Sequence, residues 1–167
     1  MKAPLYLGVA QKIGFVLWCF SAAICLFSFV VLRNDLHNRE WSYFFLCSGL
    51  ITSVLLIDDY FLMHEFLTRY SQIAEKVILS LYGIIVALYL IRFSKTLLNT
   101  EYLLLLIAFG FFGFSIMIDL ELVYFPGGTF AEDGTKLFGI ANWCAYHTRA
   151  CLKQIKLSTI VSAHLGQ

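Results

Sequence analysis

Long uncharged stretches alternate along the chain with short charged ones, and the lengths of the uncharged stretches are those of membrane helices. Ile13–Leu32 is an apolar run of 20 residues, the length a helix needs where lipid offers the backbone no hydrogen-bond partner. Trp41–Ile57 is uncharged for 17 residues and is interrupted by Asp58 and Asp59, with a helical pattern that continues through Phe66. Ile73–Phe93 carries Glu75 and Lys76 near its start and Arg92 near its end. Tyr102–Ile118 is again 17 uncharged residues, stopped by Asp119. Next comes Tyr124-Phe125-Pro126-Gly127-Gly128, a turn signal. Thr129 and Glu132 then fit a capping box that starts a further helix.

That last helix differs from the others. Leu137–Leu152 contains His147 and Arg149, so it either spans with the arginine snorkelling or lies flat at the interface. Its length, and the late placement of Arg149, Lys153 and Lys156, favour a span. The pattern predicts an all-α fold, a polytopic integral membrane bundle of five transmembrane helices, four if the last is interfacial. One domain covers 1–167, with spans near 13–32, 41–66, 73–93, 102–118 and 130–152.

Composition agrees with the pattern and removes other classes. Apolar residues make up 60% and charged ones 14%, with a mean hydropathy of +0.78, which excludes a disordered chain, a collagen-like chain and an ordinary soluble enzyme. A net charge of +1 gives no basic surface for nucleic acid. The implied partners are the lipid bilayer and a membrane protein, a second copy included. Cys19, Cys25, Cys47, Cys144 and Cys151 are odd in number and lack a CxxC pair, so they read as packed thiols. The first apolar run exceeds a signal-peptide core and ends in the charged loop Arg33–Glu40, which predicts a retained span.

Charge also bears on orientation. With five spans, the segments around Asp58–Lys76 and Asp119–Lys136 share a side with the N-terminus. That side holds five Lys and Arg, against seven on the other. The positive-inside rule then places the N-terminus outside and the C-terminus in the cytoplasm. A fifth helix that did not span would reverse this.

The candidate chemistry lies where the uncharged runs stop. Asp58, Asp59, His64 and Glu65 follow 17 uncharged residues; carboxylates so close to lipid must face water, a partner or a counter-ion. Asp58 and Glu65 share a helix face, and Arg69 lies four beyond Glu65. The second acidic group is Asp119, Glu121, Glu132, Asp133 and Lys136, in which Glu132 and Lys136 have the spacing of a helical ion pair. Lys136, Ile140, Trp143 and His147 form a stripe that can face the bundle interior, and Trp143 reads as packing or an interface anchor. Asn142, Tyr146, Arg149 and Lys153 form another, read as facing solvent or the lipid headgroups. The Phe109–Phe114 cluster reads as helix packing.

Oxygen-rich sites with an imidazole suit a divalent metal ion, with Asp58, Asp59, His64, Glu65, Asp119, Glu132 and Asp133 as candidate ligands. Asp58, Asp59, His64, Glu65, Glu132 and Lys136 are the candidate acid–base groups for hydrolysis. The same residues could relay protons or bind a cation in a transporter, and charged loops could also dock a non-enzymatic subunit onto a larger complex. The spacing matches no standard metal signature. The plain alternative is a helix that has left the membrane and carries interfacial charges.

The Asp-Asp-x-Phe-x-x-His-Glu segment at 58–65 and the Glu-Asp-Gly-x-Lys-x-x-Gly-Ile segment at 132–140, followed by Trp143, resemble a group of small multi-pass bacterial membrane proteins of unknown function. The resemblance implies a bacterial inner-membrane location and supplies no activity.

Overall fold

Helix follows from the uncharged runs because a buried backbone must satisfy its own hydrogen bonds. In the computed structural model, which describes residues 5–34, 39–61, 72–119 and 128–165, the fold is all-α. Six helices occur among the described residues: α1 (Leu5–Leu32), α2 (Arg39–Phe61), α3 (Gln72–Arg92), α4 (Ser94–Leu98), α5 (Tyr102–Asp119) and α6 (Gly128–Leu165). His64, Glu65, Arg69, Glu121 and the turn at 124–127 lie outside the described residues, as do the side chains of Glu75, Lys76 and Thr129.

Among the described residues, Gly8–Leu32, Arg39–Phe61 and Tyr102–Asp119 are long and apolar enough to cross a membrane. The apolar part of α3, Val77–Arg92, is shorter. With 38 residues, α6 extends beyond the expected end near 152. At 1.5 Å per residue it is about 57 Å long, against about 30 Å of hydrocarbon.

α1 packs against α2 and α6, and α6 packs against α5; α3 meets α2 only lightly. The seams show helical spacing. Trp18, Ser21, Cys25, Ser28 and Leu32 form the buried stripe of α1, and Ile140, Trp143, His147, Ala150 and Gln154 that of α6. Small residues let the helices approach closely, as membrane bundles require. A Cβ on Gly49 of α2 would lie 2.7 Å from the Leu26 side chain of α1, and one on Gly139 of α6 would lie 2.7 Å from the Phe112 ring of α5.

The hydroxyls in these seams are satisfied locally. Ser21, Ser28, Ser48 and Thr52 donate to the carbonyl four residues earlier, at 2.7–2.8 Å, which removes the penalty of burying them. Long-range bonds also cross the bundle: Trp143 Nε1 donates to Thr52 Oγ1 at 3.1 Å, and the Ser48 and Tyr89 hydroxyls lie 2.7 Å apart. Val16, Phe20 and Phe27 of α1, Leu50 and Val54 of α2, Ile84 and Leu88 of α3 and Leu106 of α5 remain exposed, an outer surface suited to lipid.

One end of the bundle carries exposed ion pairs, Arg149–Glu101 at 2.9 Å and Arg92–Glu40 at 3.7 Å. There the structure departs from the sequence reading of the Tyr146 stripe. Tyr146 is buried, and its hydroxyl lies 2.9 Å from that of Thr100, just after α4. A polar tip on a bundle helix can meet another hydroxyl instead of water, and residue type alone does not distinguish the two.

Candidate functional site

At the opposite end, the two acidic segments meet. Asp59, in the last turn of α2, forms an ion pair with Lys136 of α6, Nζ to Oδ1 2.5 Å. The lysine therefore pairs across the bundle, and Glu132 and Asp133, one turn earlier on α6, add to the negative field around it. Asp58 is buried, and Tyr82 of α3 lines the same hollow beside it. Ser115 Oγ of α5 donates to the Glu132 carbonyl at 3.4 Å, which holds the end of α5 against the start of α6. Asp119, the last residue of α5, is exposed.

These groups border two hollows. A cavity of about 350 Å³ is lined by Asp58, Asp59, Asp119, Glu132 and Lys136 together with Trp18, Phe109, Phe112 and Trp143. A cleft of about 330 Å³ lies between α1, α2 and α6, and adds Lys12 and Asp133 to Asp59, Glu132 and Lys136. The Asp59–Lys136 pair belongs to both walls, so it partitions the aromatic cavity from the more polar cleft.

A family model covers residues 1–150. The chain belongs to DUF8692, a domain of unknown function. No curated protein and no solved structure matches it. Both acidic segments, the cavity and the buried stripe of α6 through Ala150 fall inside the DUF8692 match.

Within the DUF8692 domain the aromatic wall is tightly knit. The Trp18 ring centroid lies 5.9 Å from that of Phe112 and 6.1 Å from that of Trp143, and Phe109 meets Trp143 at 5.8 Å. Trp18 is only 4% exposed, and its indole N–H has no hydrogen-bond partner among the described residues. The same is true of His147 Nε2, whose Nδ1 lies 3.0 Å from the Trp143 carbonyl.

Among the described residues, no group of three or more His, Cys, Asp and Glu side chains could hold a metal ion. At Asp59, the Lys136 ammonium meets one carboxylate oxygen. Of the proposed ligands, His64 and Glu65 lie outside the described residues; Asp58, Asp59, Asp119 and Glu132 line one cavity; Asp133 faces the cleft. Sequence reasoning missed Trp18, Tyr82, Phe109 and Phe112 as parts of this wall. Trp18 had a signal, since it shares a helical stripe with Ser21 and Ser28. Tyr82 had none, because its role depends on how α3 leans on α2.

Proposed function

We propose that this DUF8692 protein is a five-span bacterial inner-membrane protein that binds an organic cation in the carboxylate-lined cavity. In this reading α3 and the first part of α6 span together with α1, α2 and α5, and the cavity opens on the outer side, where the N-terminus lies. One observation carries the proposal: Asp58 and Asp59 of α2, Asp119 of α5 and Glu132 of α6 border the same hollow as four aromatic rings, with Lys136 as counter-ion. Carboxylates and ring faces in one wall are the surroundings in which a cationic guest is at home. Ring faces favour a weakly hydrated ammonium over a strongly hydrated metal ion, which keeps its water.

Thermal unfolding of the purified protein in a non-ionic detergent, with tetramethylammonium, magnesium or acetate added, tests the reading. Saturable stabilisation by tetramethylammonium is expected, weakened in Asp58→Asn and Glu132→Gln. Equal stabilisation by acetate, or by magnesium at the same ionic strength, would count against it.

A further inference from the structure

The end of the bundle away from the carboxylate-bordered cavity is basic. Arg33 follows α1, Arg39 opens α2, Arg92 closes α3, Lys95 lies on α4, and Arg149, Lys153 and Lys156 lie along α6. All seven are exposed. Contacts between helices put them at one end: Arg92 pairs with Glu40, Arg149 with Glu101, and Lys153 Nζ donates to the Asn99 carbonyl at 3.3 Å. Cations outnumber carboxylates there by seven to three, with Asp35, outside the described residues, counted in.

These charges stand over lipid-facing surface. Exposed Tyr43 is one turn from Arg39, exposed Leu88 one turn from Arg92, and exposed Leu98 three residues from Lys95; exposed Leu152 lies between Arg149 and Lys156 at helical spacing. Side chains that share a face with such residues lean over the hydrocarbon, and long basic ones reach up to the headgroups. Two guanidiniums already rest on rings, with Arg39 Cζ 5.8 Å from the Tyr43 centroid and Arg92 Cζ 5.0 Å from the Phe93 centroid. Independently of charge, half-buried Trp41 and exposed Tyr43 and Tyr102 occupy the first turns of α2 and α5, as the aromatic belt of a membrane interface does.

We infer that this end binds acidic phospholipid, with headgroup phosphates of the adjoining leaflet held by Arg33, Arg39, Lys95 and Lys156. None of these four has an ion-pair partner among the described residues. A lipid suits them better than an acidic protein in water, because the cations are spread over five helices and stand above apolar faces instead of gathering on one projecting surface. The inference is independent of the cation-binding reading, whose residues lie at the other end of the bundle.

Electron spin resonance tests it. Spin-labelled phosphatidylglycerol or phosphatidylcholine is added as a trace to phosphatidylcholine vesicles containing the protein, and the motionally restricted fraction of each label counts the lipids in contact. Phosphatidylglycerol should be held about fivefold more tightly beside a cation, or roughly twofold when averaged over both leaflets. The preference should fade in about 1 M salt, where charge acts over only about 3 Å. Combining Arg33→Gln, Lys95→Gln and Lys156→Gln should remove most of it and leave phosphatidylcholine contact unchanged, which shows the bundle intact. Lys12→Gln, in the cleft at the other end, should preserve it. Equal restriction of the two labels would overturn the inference, as would a preference insensitive to salt or to the triple substitution, or one lost with Lys12→Gln. Polyglutamate bound by the protein in micelles, with no phosphatidylglycerol preference in vesicles, would overturn it in favour of an acidic protein partner.

Discussion

Replacing Lys136 by methionine keeps most of the length of the side chain and removes its charge, leaving Asp59 half-buried beside Asp58 and Glu132. The ammonium nitrogen is 2.5 Å from Asp59 Oδ1, and the two side chains are 33% and 21% exposed. For charge centres about 4 Å apart at an effective dielectric of about 20, the attraction is about 4 kcal/mol. Desolvation of both groups and the water that still reaches them offset part of it, leaving about 2 kcal/mol. In a chain of this size that corresponds to a fall of about 4–8 °C in the unfolding midpoint. Buried Cys25, Cys144 and Cys151 make a thiol-reactive fluorogenic dye a direct reporter of unfolding. Asp59→Asn should fall similarly, and the double variant by less than the sum, with a coupling of about 1–2 kcal/mol. Additive single effects would refute the pairing.

Three further outcomes follow from the packing. Gly139→Val drives a branched side chain into the Phe112 ring, already 2.7 Å from where a Cβ would sit, and should destabilise by about 1–3 kcal/mol in the same dye assay. Gly110→Ala, where a Cβ meets nothing within 4 Å, should be neutral or stabilise by up to about 1 kcal/mol. Thr52→Val strands the Trp143 indole N–H in the core, and should destabilise by about 1–3 kcal/mol with a change in tryptophan emission.

The sequence made some of this readable and hid the rest for physical reasons. Apolar runs located α1, α2 and α5, because lipid admits little else. Asp58 and Asp119 drew attention because each ends a run of 17 uncharged residues. The spacing of Glu132 and Lys136 points to a local pair, and Glu132 does act on the lysine's charge, but Lys136 also reaches Asp59; local spacing cannot reveal a partner that another helix brings close. Trp143 and His147 lie on the buried stripe of α6, together with Tyr146, which the charges at Arg149 and Lys153 made look solvated. The cavity was hidden altogether. Its aromatic wall draws on α1, α5 and α6, and such residues look like ordinary packing until the helices are assembled.

The claim on which the account turns is that the end of α2 and the start of α6 face each other across one site. Asp59→Cys combined with Lys136→Cys, in a background with the five native cysteines replaced by alanine, can be treated with a short bismaleimide and then cleaved by protease between the two positions. The account predicts that the α2 and α6 fragments stay joined, while Asp59→Cys paired with Lys153→Cys, at the other end of the bundle, lets them separate. Fragments that separate in both pairs would contradict it.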